Sequence, residues 1–195
     1  MTLSLVSRDR FKTALRISDT ADDTQLLRDL EYVSDLIERD ARRWFQPRTA
    51  TLYLRARHGD RLLLGEDLLV VTTLKTLTAN TNGTRSYGAG TDATLQWAAT
   101  DYDLYPENAV ARREPYWEIR ANPEGDYSFP TDERGVQVVG TWGYWQETTS
   151  AGTLGAAISS TTATSVTMTA GHSVEAGHTL LIDSEQLYVT AVATN

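Results

Sequence analysis

Apolar residues in the first quarter of the chain recur at helical spacing. Between positions 20 and 47, Leu26, Leu30, Val33, Ile37, Ala41 and Trp44 fall three or four residues apart and predict one stripe of a long helix over 21–46. Thr20 and Asp23 have capping-box spacing, Asp22 and Asp23 suit the positive end of the helix dipole, and Arg42 and Arg43 suit the negative end. Pro47 stops the helix. Burying five large side chains at roughly 1.5–3 kcal/mol each is worth on the order of 10 kcal/mol, so the stripe is expected to face the core. Leu27, Tyr32, Leu36 and Phe45 lie on its flanks, as a surplus that points to a second neighbour such as another subunit. Asp35–Arg39 and Glu38–Arg42 are i,i+4 pairs on the outer face. Ahead of this helix, Ser7 caps a shorter one over 7–16, with Phe11, Ala14 and Leu15 turned inward, and the two read as an antiparallel hairpin.

After Pro47 the period changes to two. Strands are predicted at 51–56, 61–64, 68–78, around Trp97, at 102–105, 117–120 and 135–144, with Asn82-Gly83 as a hairpin turn. Residues 146–156 form a Gly/Ser/Thr linker. Short strands follow at 157–160, 166–169, 179–182 and 186–192. The expected architecture is α+β: an N-terminal helical hairpin with one long helix, packed with short antiparallel strands over 1–145. A small all-β module over 157–195 follows.

Charge sharpens this division. The 195 residues carry a formal charge of −8, and no Lys or Arg follows Arg134. Such a chain is not expected to hold nucleic acid by neutralising phosphates, although an acidic surface can face DNA without gripping it. There is no cysteine, which excludes disulfides and thiolate metal sites. No apolar run reaches the length of a membrane span, and the first residues lack a signal-peptide core.

Candidate chemistry is sparse. His58, His172 and His178 lie beside glycines in predicted turns, without metal-ligand spacing. Asp183 and Glu185 offer two carboxylates, but strand-connecting turns favour such residues. Gly88-Ala89-Gly90 lacks the helix start of a phosphate cradle, and no nucleophile-elbow or P-loop motif occurs. Trp142, Tyr144 and Trp145 suit either a sugar-stacking platform or packing and interface anchors. No catalytic residue, cofactor or metal is expected.

Several segments, in order, resemble head–tail connector (adaptor) proteins of long-tailed bacteriophages. They are Asp22-Asp23-Thr24-Gln25-Leu26-Leu27 in the opening helices, Arg43-Trp44-Phe45 at the helix end, Leu62 to Val71 as a strand pair, Asp101 to Asn108 as a hairpin, and Val136 to Tyr144 as a closing strand. The resemblance covers roughly 5–145, and Gly177 to Val192 is similar to a second element of phage virion proteins, whose usual last strand is not found before Asn195. It implies a non-enzymatic ring, usually dodecameric, at the head–tail interface of the virion, assembled in the host cytoplasm. The implied partners are other copies of the chain, the portal protein and a tail-completion or tail-terminator protein. DNA would pass without sequence-specific binding, and no membrane is involved. Leu27, Tyr32, Leu36 and Phe45 are the candidate subunit contact. Trp142, Tyr144, Trp145, Leu187 and Val189 are candidate docking residues. The alternatives are a carbohydrate- or surface-binding β-module protein and a small hydrolase using Asp183 and Glu185.

Overall fold

The computed structural model describes residues 4–144, 149–183 and 185–193. In chain order the elements are α1 (Arg8–Leu15), α2 (Asp23–Ala41), β1 (Arg48–Leu54), β2 (Arg61–Thr81), β3 (Thr84–Gly88), β4 (Tyr102–Tyr105), α3 (Ala109–Arg112), β5 (Tyr116–Ala121), β6 (Val136–Trp142), β7 (Thr179–Ile182) and β8 (Glu185–Tyr188). They fall into two compact units, Arg42–Gln146 and the combination of Met1–Ala41 with Glu147–Asn195. The compact units therefore do not follow the expected 1–145, 146–156 and 157–195 partition.

The fold class differs from the α+β expectation. The chain is 34% strand and 17% helical, so it is mainly a sheet protein, and its helices do not form a long hairpin. Nor are the strands uniformly short, since β2 runs for 21 residues. Gly65-Glu66-Asp67 reads in sequence as a break between two strands. In the structure this segment is absorbed as an irregularity in the β2–β5 ladder between Leu63 and Leu68.

In the central unit six antiparallel strands run β1-β6-β2-β5-β4, with β3 beside β2. β6 alternates fully: Val136, Val138, Gly140 and Trp142 face inward. With Leu62, Leu64, Leu68, Leu74 and Ile119 they form the core. Trp97, expected in a strand, lies in a loop and stacks on Phe129 with ring centroids 4.8 Å apart. Gly140 permits a close approach, because a Cβ there would lie 2.2 Å from the Val70 carbonyl oxygen. β2 turns into β3 through Asn82 and Gly83, both at positive φ, the turn that the Asn-Gly pair predicts.

The other unit holds α1, α2 and the β7–β8 hairpin. Ser7 caps α1, its hydroxyl accepting from the Arg10 amide at 3.3 Å. Leu15 and Ala14 are exposed, contrary to the inward face expected for them. Lys12 is the buried residue of α1, and its ammonium and the Arg8 guanidinium both engage Asp23 at the start of α2. That ion cluster occupies the carboxylate expected to close a capping box with Thr20. α2 ends at Ala41, ahead of Pro47, where Arg42 takes a left-handed φ of 50°. Residues 157–160 and 166–169 do not form strands, apart from one bridge between Leu154 and Met168. Ile158 is left 39% exposed there, beside Ser and Thr side chains that bury little apolar area.

Candidate functional site

The inward row of α2 is Leu27, Leu30, Ser34 and Glu38, which shares only Leu30 with the predicted apolar stripe. Ser34 lies against the N-terminal arm, where its hydroxyl accepts from the Leu5 amide at 3.0 Å and donates to the Leu30 carbonyl at 2.6 Å. A small hydroxyl there lets the arm approach the helix, and a larger apolar side chain would push it away. Glu38, expected on the outer face, is buried, whereas Asp35 and Arg39 make the expected exposed pair at 3.6 Å. Glu31 adjoins Tyr188 of β8. Burial, and then this carboxylate, push the Tyr188 phenol well above its ordinary range.

The helix is thereby rotated relative to its sequence pattern. Tyr32, Val33, Leu36 and Ile37 are left 63%, 49%, 41% and 45% exposed, which makes an uncovered apolar stripe. Their spacing continues to Asp29 on one side and Asp40 on the other, both exposed, so the stripe is bracketed by carboxylates.

Of the four flank residues singled out in the sequence, Tyr32 and Leu36 belong to this stripe. Leu27 does not, because it is buried on the opposite row. Phe45 does not either: it lies beyond the helix end, with its ring edge-on to Tyr144 at 6.2 Å. The periodicity places Val33 and Ile37 in the core, and no sequence signal marks Ser34 and Glu38 as inward in their place. Trp44, also assigned to the helical stripe, packs on the core of the sheet unit beneath the Arg48 guanidinium, 4.8 Å from its ring.

The docking residues are dispersed. Trp142 is fully buried, its indole N–H donating to the Ala50 carbonyl at 3.0 Å, so it offers neither a sugar platform nor a partner surface. Tyr144 is half-exposed, with the Arg43 guanidinium 4.7 Å from its ring. Arg43 also pairs with Asp67 at 2.7 Å. Burial raises the Asp67 and Glu66 pKa values, and Arg43 partly offsets this at Asp67. Trp145 lies outside the described residues. Leu187 sits in β8 opposite Leu180, and Val189 follows it, its amide donating to the His178 carbonyl at 2.9 Å.

Two arrangements resemble enzymatic ones and differ in detail. Ser7, Glu175 and His178 lie together, but the carboxylate stands between the other two: Ser7 donates to Glu175, whose oxygen is 3.8 Å from His178 Nε2. A serine nucleophile needs the imidazole at its own hydroxyl. Asp183, at φ 53°, and exposed Glu185 flank the β7–β8 turn. A cleft of about 640 Å³ beside β7 is lined by Leu154, Met168, Leu180 and His178 among others, with no Asp, Glu, Lys or Arg in its lining. Among the described residues, no group of three or more His, Asp or Glu is placed to hold a metal ion.

No family model, no curated protein and no solved structure matches the chain.

Proposed function

We propose that this protein is a structural virion component. In this reading it is a ring adaptor between the capsid portal and the tail of a long-tailed bacteriophage, built by contacts between its own copies. The uncovered stripe of Tyr32, Val33, Leu36 and Ile37 carries the reading, since four large apolar side chains in one row on a 19-residue helix mark an interaction surface. The ordered resemblance of 5–145 to head–tail connectors supplies the class. The mechanism is geometric: copies pack side by side on the portal, extend the DNA channel and present a face to a tail-completion protein.

Magnitudes restrict how the ring forms. Covering four half-exposed side chains yields on the order of 4 kcal/mol per contact. Lost rotational and translational freedom costs about 4–15 kcal/mol. The stripe by itself therefore does not hold free copies together, and a ring needs a second complementary surface or a portal that pre-positions its subunits.

Negative-stain class averages of the chain with isolated portal protein test this. The expected result is an added ring layer sharing the portal's rotational axis. Portal particles without that layer would overturn the reading.

A further inference from the structure

The stripe needs a counterpart, and a closed ring requires that the counterpart be a different patch of the neighbouring copy. The outward face of β1, β6 and the middle of β2 has the matching character. In register, Tyr53 pairs with Gln137 and Gln137 with Lys75; one step along, Thr51 pairs with Val139 and Val139 with Thr73. Val70 and Tyr53 are the exposed large side chains of this face, at 48% and 40%. The outward positions of β1, of β6 and of β2 from Val70 to Leu77 carry no carboxylate, in a chain of net charge −8, and Glu66 and Asp67 lie further along β2. Lys75 lies within the face. Arg134 stands at its rim, 4.5 Å over the Tyr53 ring, beside Arg55 with its loose partner Glu133 at 3.8 Å.

The charge distribution agrees with such a contact. Residues 1–41 and 147–195 hold thirteen acidic and six basic residues, whereas 42–146 hold thirteen and twelve. Size agrees as well. From Asp29 to Asp40 the stripe is about 16 Å long on a helix about 10 Å wide. Three strands span roughly 10 Å, and the row from Thr49 to Tyr53 is about 14 Å.

We propose that the α2 stripe of one copy docks on the outward β1–β6–β2 face of the next, with Asp29 and Asp40 facing the Lys75 and Arg134 side of that sheet. This rests on the ring reading and names its second surface. The contact is head-to-tail, so each copy uses both patches once.

Charge reversal tests it by sedimentation velocity on concentrated protein and on protein with isolated portal, folding being checked by circular dichroism. Lys75→Glu with Arg134→Glu, and separately Asp29→Lys with Asp40→Lys, are each expected to weaken self-association roughly tenfold or more. A chain carrying all four reversals is expected to regain it, which a merely unfolded variant would not do. Self-association unaltered by either pair of reversals would overturn this contact and leave the ring reading standing. A wild-type chain that never self-associates, even with portal, would overturn the ring reading itself. Loss of binding to a single-stranded DNA oligonucleotide on reversing Lys75 and Arg134, with self-association unchanged, would assign the face to nucleic acid and overturn the proposal.

Discussion

At Gly140 a hydrogen is all the side chain that β6 can carry as it passes the Val70 carbonyl. Gly140→Ala places a carbon 2.2 Å from that oxygen and forces β2 and β6 apart, at an expected cost of about 2 kcal/mol or more in urea unfolding. Glu66 shows a different residue-scale effect. Burial, then the adjacent Asp67, raise its pKa above 4.5, so the folded state holds its ionised form less readily than the unfolded chain does. Stability from this group therefore increases as pH falls through the raised folded value and levels off below 4.5. Glu66→Gln mimics the protonated acid. It is expected to raise the melting temperature at pH 7, with the gain disappearing in acid; an equal gain at both pH values would contradict the assignment.

Among the elements, α2 is the least conventional. Its sequence advertises one apolar stripe, and its structure buries a row containing Ser34 and Glu38. The inner row is set by partners distant in sequence, the Leu5 amide and Tyr188 of β8, which no local periodicity can encode. The same limit explains β2: the Gly-Glu-Asp break looks like a boundary until pairing with β5 and β6 carries the strand across it. Alternation in β6, the Asn82-Gly83 turn and the Ser7 cap were legible because each depends on neighbours close in sequence. The apolar surplus on α2 was also legible, but the residues composing it were half misassigned, with Val33 and Ile37 in place of Leu27 and Phe45. The α1–α2 junction depends on charge instead. Lys12→Ala removes one of two cations from Asp23 and is expected to cost roughly 1–3 kcal/mol. Asp23→Ala would leave Arg8 with Asp9 alone and Lys12 with the Asp19 carbonyl alone, and should cost more; the reverse order in thermal unfolding would contradict this role for the cluster.

The whole molecule comprises two compact units, one acidic and bearing an uncovered apolar helix stripe, the other nearly neutral and bearing a sheet face without carboxylates. In the proposed ring their complementarity acts between copies, which would make assembly dependent on both concentration and template. Salt is expected to weaken the contact moderately, because Asp29, Asp40 and Arg134 sit at the edges of an apolar patch and Lys75 alone lies within it. The most direct test is mass photometry of the chain with and without isolated portal, for wild type and for Leu36→Asp with Ile37→Asp. Wild type is predicted to add a fixed multiple of its 21.6 kDa to the portal, while the double variant, folded by circular dichroism, adds none. Equal loading by the two proteins would contradict the claim that the α2 stripe builds the ring.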